Sequence, residues 1–111
     1  MSMMRVIQKS GFGSTGGGLT KMQASVLVAD DDEIIIPAGK VGWGFCQIGD
    51  NQEYGQFTFD SSNVVTSDFP SSNFVTTDTD LNLCVYDNGV NVAMKNRLGS
   101  ALILRYLIYY S

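Results

Sequence analysis

Apolar and polar positions alternate with a period of two through most of the chain, and strand-like runs recur from Lys21 onward at the roughly 8–12-residue spacing of sandwiches and barrels. Met22–Ala29 reads as a strand closed by a turn at Asp30–Asp32, and Glu33–Ile36 as a second, ended by Pro37-Ala38-Gly39. Val41–Ile48 is a third, carrying Trp43, Phe45 and Cys46 with Gly42 and Gly44 between them, and Gly49-Asp50-Asn51 turns it into Tyr54–Phe59. The stretch 60–79 is polar, with two short edge pieces at Val64–Thr66 and Phe74–Thr76. Leu81, Leu83 and Val85 then alternate with Asn82, Cys84 and Tyr86, and Val90, Val92 and Met94 alternate back after Asp87-Asn88-Gly89. Asn-Gly between alternating runs predicts a tight hairpin, because both residues take positive φ at little cost. Eight or so short antiparallel strands and almost no helix predict a jelly-roll-like antiparallel β-sandwich over residues 22–111.

Two segments break the pattern. The last run, Ala101–Tyr110, is apolar on both faces: Leu102, Leu104, Tyr106 and Ile108 point one way, and Ala101, Ile103, Leu107 and Tyr109 the other. Such a strand is either central and covered twice, or one of its faces meets another protein, since an exposed edge of this composition would aggregate. At the opposite end, Ser10–Thr20 holds five glycines in eleven residues. So much glycine is costly to order and packs no core, so residues 1–21 read as an extended N-terminal arm that a partner would order, with a short strand at Arg5–Gln8 as an option.

Charge adds a polarity to this layout. The net charge of −4 hides a +3 segment over residues 1–21, a −10 body over 22–94 holding all 11 acids, and a +3 tail over 95–111. Basic ends on an acidic body favour head-to-tail contact with an acidic neighbour and argue against nucleic acid as a partner. Charged residues make up only 16% of the chain, so Asn, Ser, Thr and Gly carry the polar load, as in β-rich rather than helical domains. No run is long enough to be a membrane helix, and Met1–Lys9 is not a signal peptide, so a soluble chain with Cys46 and Cys84 reduced and buried is expected.

Little in the sequence carries chemistry. Gly11-Phe12-Gly13-Ser14-Thr15-Gly16 matches G-x-G-x-x-G, but more glycine and a β-type run follow it where a dinucleotide site needs a helix, so no cofactor is expected. The chain has no histidine, which removes the usual activator of Ser and Cys nucleophiles and the commonest metal ligand. Asp30–Glu33 and the Asp78/Asp80 pair could chelate calcium only if loops brought them together, and neither has the spacing of a calcium loop, so no metal is assigned. Trp43, Tyr54, Phe57 and Phe59 are read as core rather than a sugar-stacking platform, because Gly42 and Gly44 suggest close sheet packing around Trp43 and Phe45. A non-enzymatic protein is expected. Its candidate contact residues are the basic and aromatic side chains of the two ends, Arg5, Lys9, Phe12, Arg97, Arg105, Tyr106, Tyr109 and Tyr110.

The last part of the chain, LNLCVYDNGVNVAMKNRLGSALILRYLIYYS, resembles the C-terminal hairpin and final strand of small virion proteins of tailed bacteriophages, most of all where Asn96-Arg97-Leu98-Gly99-Ser100 leads into the aliphatic-aromatic strand. With the glycine-rich arm, the whole is similar to the jelly-roll capsid decoration (staple) proteins of epsilon15-like short-tailed bacteriophages, and less closely to phage fibre heads. The resemblance covers roughly the last thirty residues by pattern and the rest by architecture alone. It implies an accessory protein made in the host cytoplasm, bound to the outer capsid surface of the virion, with the major capsid protein as partner and a homodimer or other homo-oligomer as its form. The weaker resemblance implies instead a head that recognises a host glycan through polar loops such as 60–79.

Overall fold

In the structure, a computed structural model, residues 18–111 are described, and they form an antiparallel β-sandwich with no helix. Nine strands run in chain order: β1 (Thr20–Val28), β2 (Glu33–Ile36), β3 (Gly42–Ile48), β4 (Glu53–Phe59), β5 (Val65–Asp68), β6 (Phe74–Val75), β7 (Leu83–Asp87), β8 (Val92–Asn96) and β9 (Leu102–Tyr110). One sheet has the order β1-β9-β3-β4-β5 and the other β2-β8-β7-β6. The first and last strands therefore pair in one sheet while β2 and β8 pair in the other, so the two ends of the folded chain wrap the body together.

The core lies between the sheets. Val28, Cys46, Ile48, Phe57, Leu104 and Ile108 reach it from the five-stranded sheet, and Ile36, Leu83, Val85 and Met94 from the other. Glycines make room for it under β3. A side chain at Gly42 would strike the carbonyl of Tyr109 and the Phe59 ring, and one at Gly44 would strike Ile108. The close packing expected around these glycines is present, and Phe57 and Phe59 fill the space they leave.

Several expectations are corrected. β1 begins at Thr20, so Thr20 and Lys21 belong to the sandwich rather than to the stretch before it. β6 pairs with β7 in parallel, because residues 76–82 carry the chain back so that β7 starts beside the start of β6 at the edge of the second sheet. The Asn-Gly turn is not a two-residue hairpin turn: four residues, Asn88–Asn91, separate the paired Asp87 and Val92. Only Gly89 takes positive φ there (97°), while the Asn88 side chain accepts the N–H groups of Val90 and Asn91 at 2.9 and 2.8 Å and closes the loop. β7 is buried on both faces rather than one, since Thr79 folds over its outer side and bonds the Cys84 sulfur. Arg5, Lys9, Phe12, the Arg5–Gln8 strand and the glycine motif lie outside the described residues.

A buried amide holds one end of the sandwich. Asn96 is fully buried; its amide donates to the carbonyls of Val28 (3.0 Å) and Ser100 (2.8 Å), and its oxygen accepts the Leu98 N–H (3.0 Å). It thereby fixes the β8–β9 connection to the end of β1. Replacing it with alanine leaves two carbonyls and one N–H without partners, and is expected to cost about 2–3 kcal/mol in urea unfolding.

Cys46 and Cys84 are free and buried, in separate clusters on the two sides of the β7 sheet. Burial pushes the Cys46 thiol well above its ordinary value of 9.0, and the Tyr86 hydroxyl, desolvated and donating to Glu33 at 2.9 Å, is raised as well. In the unfolded chain these groups ionise first. Their contribution to stability is therefore complete below about pH 9 and is lost as the pH rises beyond it, by up to about 1.4 kcal/mol per pH unit for Cys46. Unfolding midpoints measured at about pH 8 and pH 10 should fall more for the wild type than for Cys46→Ala.

Candidate interaction surface

The inward glycines of β3 decide where its large side chains go. Alternation puts Gly42, Gly44, Cys46 and Ile48 on the core side and turns Trp43 and Phe45 outward. Trp43 is 50% exposed and Phe45 39%, which overturns their reading as core. Registers with the neighbouring strands build a grid around them. Trp43 lies opposite Tyr109 on β9, with ring centroids 5.1 Å apart and planes tilted by 36°, and Phe45 lies opposite Leu107. On β4, Tyr54 stands opposite Gln47 and is likewise exposed at 42%. Further along, Leu27 and Ile103 form an exposed pair across β1 and β9. The outer face of the five-stranded sheet is therefore an apolar, largely aromatic surface with no covering layer among the described residues.

Polar side chains interleave and border this surface. Gln23, Ser25 and Lys21 come from β1, Gln56 and Thr58 from β4, and Asp68 from β5. Arg105 stands at its middle, opposite Gln47, its guanidinium donating to the Gly49 carbonyl at 3.1 Å. It separates two shallow depressions, one of about 460 Å³ lined by Gln23, Ser25, Phe45 and Leu107, the other of about 520 Å³ lined by Leu27, Asp50 and Ile103. Soluble monomers rarely keep a contiguous exposed apolar patch of this kind, and aromatic residues with arginine are the types over-represented at protein contacts.

The residues singled out from sequence divide between faces. Tyr109 and Arg105 lie on this outer surface. Tyr106 and Tyr110 turn inward and pack half-buried against the core. Arg97 sits elsewhere, on the loop after β8, where it pairs with Asp31 and Asp78 at 3.2 Å and Asp80 at 3.7 Å. Its hydrogen bond to Asp31 and the charge of Asp78 hold its pKa above the ordinary value. The loops do bring Asp31 toward the Asp78/Asp80 pair, but around the Arg97 guanidinium, with Lys95 also on Asp78, and no metal-ligating cluster occurs among the described residues. The buried Glu53 is likewise engaged within the fold, accepting Ser71 Oγ at 2.6 Å and the Asn73 N–H at 3.0 Å.

β9 is central, as one of the two readings of its composition required, yet it is covered on one face only. Sequence reasoning missed Trp43, Phe45 and Tyr54 as surface residues. The signal was the parity of β3: an apolar pair, Cys46 and Ile48, continues the glycine positions, so the glycine side is the core side. Comparison with protein-family models, with curated proteins and with solved structures returned no match for this chain.

Proposed function

We propose that this chain is a structural interaction module that attaches to another protein through the outer face of its five-stranded sheet. The narrower form of this reading is an accessory capsid decoration protein on the outside of a bacteriophage shell, stapling neighbouring coat subunits. The observation that supports it is the uncovered surface around Trp43, Phe45, Leu107 and Tyr109, with Arg105 at its centre. Covering aromatic side chains of this size is worth on the order of 25 cal/mol for each Å² of apolar surface removed from water, and nothing within the described residues collects that gain. A protein that stands against a lattice of repeated subunits also profits from many simultaneous contacts. The test is co-sedimentation with assembled shells of the particle the protein purifies with: saturable binding to shells and poor binding to free coat subunits are expected. Equal binding to both, or to neither, counts against the decoration reading.

A fibre head that recognises a host glycan is the second reading. It is favoured by the Trp43–Tyr109 pair, whose polar neighbour Thr58 lies opposite Trp43, an arrangement on which a sugar ring could stack. Trp43 is the only tryptophan, so its fluorescence reports the site alone. A saturable change on titration with host-surface glycans supports this second reading; a flat titration retires it.

A further inference from the structure

The sandwich has four outer strands, β1, β5, β2 and β6. Three of them are short, with four residues in β5 and β2 and two in β6. β1 is different. It is nine residues long and pairs with β9 without a bulge, from Thr20↔Tyr110 to Val28↔Leu102. It holds no proline and no glycine, and its one charge is Lys21. Its far edge takes no backbone hydrogen bond among the described residues. Proteins normally blunt such an edge with charges, prolines or bulges, because its row of open N–H and C=O groups is a template for another strand.

We propose that this edge is completed by β1 of a second copy of the chain, antiparallel about a two-fold axis at Ala24, which joins two five-stranded sheets into one of ten. The strand TKMQASVLV is complementary to itself in that register. Ala24 meets its own counterpart, and Met22 faces Val26 on the core side; on the outer side Gln23 faces Ser25 and Lys21 faces Leu27. On the core side apolar meets apolar except at the two ends, where Thr20 faces Val28, and on the outer side no like charges oppose each other. A shift by one residue would exchange the faces, so the pattern itself selects the register class. A two-fold axis makes each contact twice, as closed dimers require.

Two further observations favour a second copy over an unrelated strand. Lys21 arrives beside the Leu27 of the second copy, so the single cation of the strand opposes an apolar residue and never its own counterpart. Ala24 is exposed although it lies on the core side of its sheet, as a position at a seam would be in the isolated copy.

This inference does not depend on the outer aromatic face. Sedimentation velocity on the full chain is expected to give a dimer. Ala24→Lys and Ala24→Glu each place like charges at the axis and should weaken self-association by at least about tenfold. Mixing the two variants should restore a dimer containing one of each. Because Ala24 is exposed in the single copy, both variants should keep the wild-type circular-dichroism spectrum and lose only the thermal stabilisation that dimerisation adds. Hydrogen exchange gives a readout free of mutation: alternate amides of β1 should slow as the wild-type concentration rises. Variants at Trp43 should leave the dimer unchanged. A wild-type monomer at every concentration, a dimer that tolerates both charge variants, or variants that fail to recombine would overturn the proposal.

Discussion

Replacing Trp43 with alanine is expected to weaken attachment to the partner surface by about 2–4 kcal/mol, roughly 30- to 1,000-fold in Kd, while the protein keeps its fold. The side chain is half exposed and contributes nothing to the core cluster, so its loss costs the sandwich little. It stands opposite Tyr109 on β3, the middle strand of the five-stranded sheet, on the uncovered outer face where a partner would exclude water. Central, aromatic and flanked by near-neutral polar positions describes a contact whose truncation is felt most. Binding to shells by co-sedimentation and melting by circular dichroism, measured on one preparation, separate the two effects. Phe69→Ala is the control: it is 82% exposed on a loop, and its removal should change neither quantity.

Gly42→Ala should have the opposite signature, a loss of the fold rather than of binding alone. The added methyl group would meet the backbone carbonyl of Tyr109, and the Phe59 ring at 2.9 Å and the Tyr110 Cα at 2.9 Å leave it no other direction. Two of these three obstacles are main chain in the β9 ladder, which cannot turn aside as a flexible side chain would. A cost of at least about 3 kcal/mol is expected in urea unfolding, a large share of the roughly 5–15 kcal/mol that holds a domain of this size. Wild-type stability in that variant would show that β3 and β9 lie further apart than the register places them.

These two residues are neighbours, and their contrast shows which features of the fold were legible in the chain. The pattern after Lys21 was enough to recover every strand among the described residues and the sandwich, because period-two patterning and turn residues are local signals. The orientation of β3 was harder. Apolar bulk normally points inward, and Trp43 and Phe45 have the bulk; here Phe57, Phe59 and Ile108 from β4 and β9 already fill the core beneath β3, so its own large residues turn out. That outcome depends on side chains brought in from distant parts of the sequence. The same holds for β7, whose apparent solvent face is covered by the 76–80 loop, and for the parallel β6–β7 pair, which follows from the path of that same connection back to the start of β7. Among the candidate contact residues, the fold places Tyr109 and Arg105 on the open sheet face, whereas Arg97 is recognisable as an internal anchor only with Asp31, Asp78 and Asp80 around it.

Outward aromatics on an open sheet face are the physical basis of the functional reading. Hydroxyl-radical footprinting of the protein, free and on its particle, addresses this face residue by residue. Trp43, Phe45, Tyr54 and Tyr109 should lose reactivity on attachment, while Phe69, Leu81 and Val90, exposed on loops, should keep theirs. Protection of the loops with the sheet face still reactive would contradict the account.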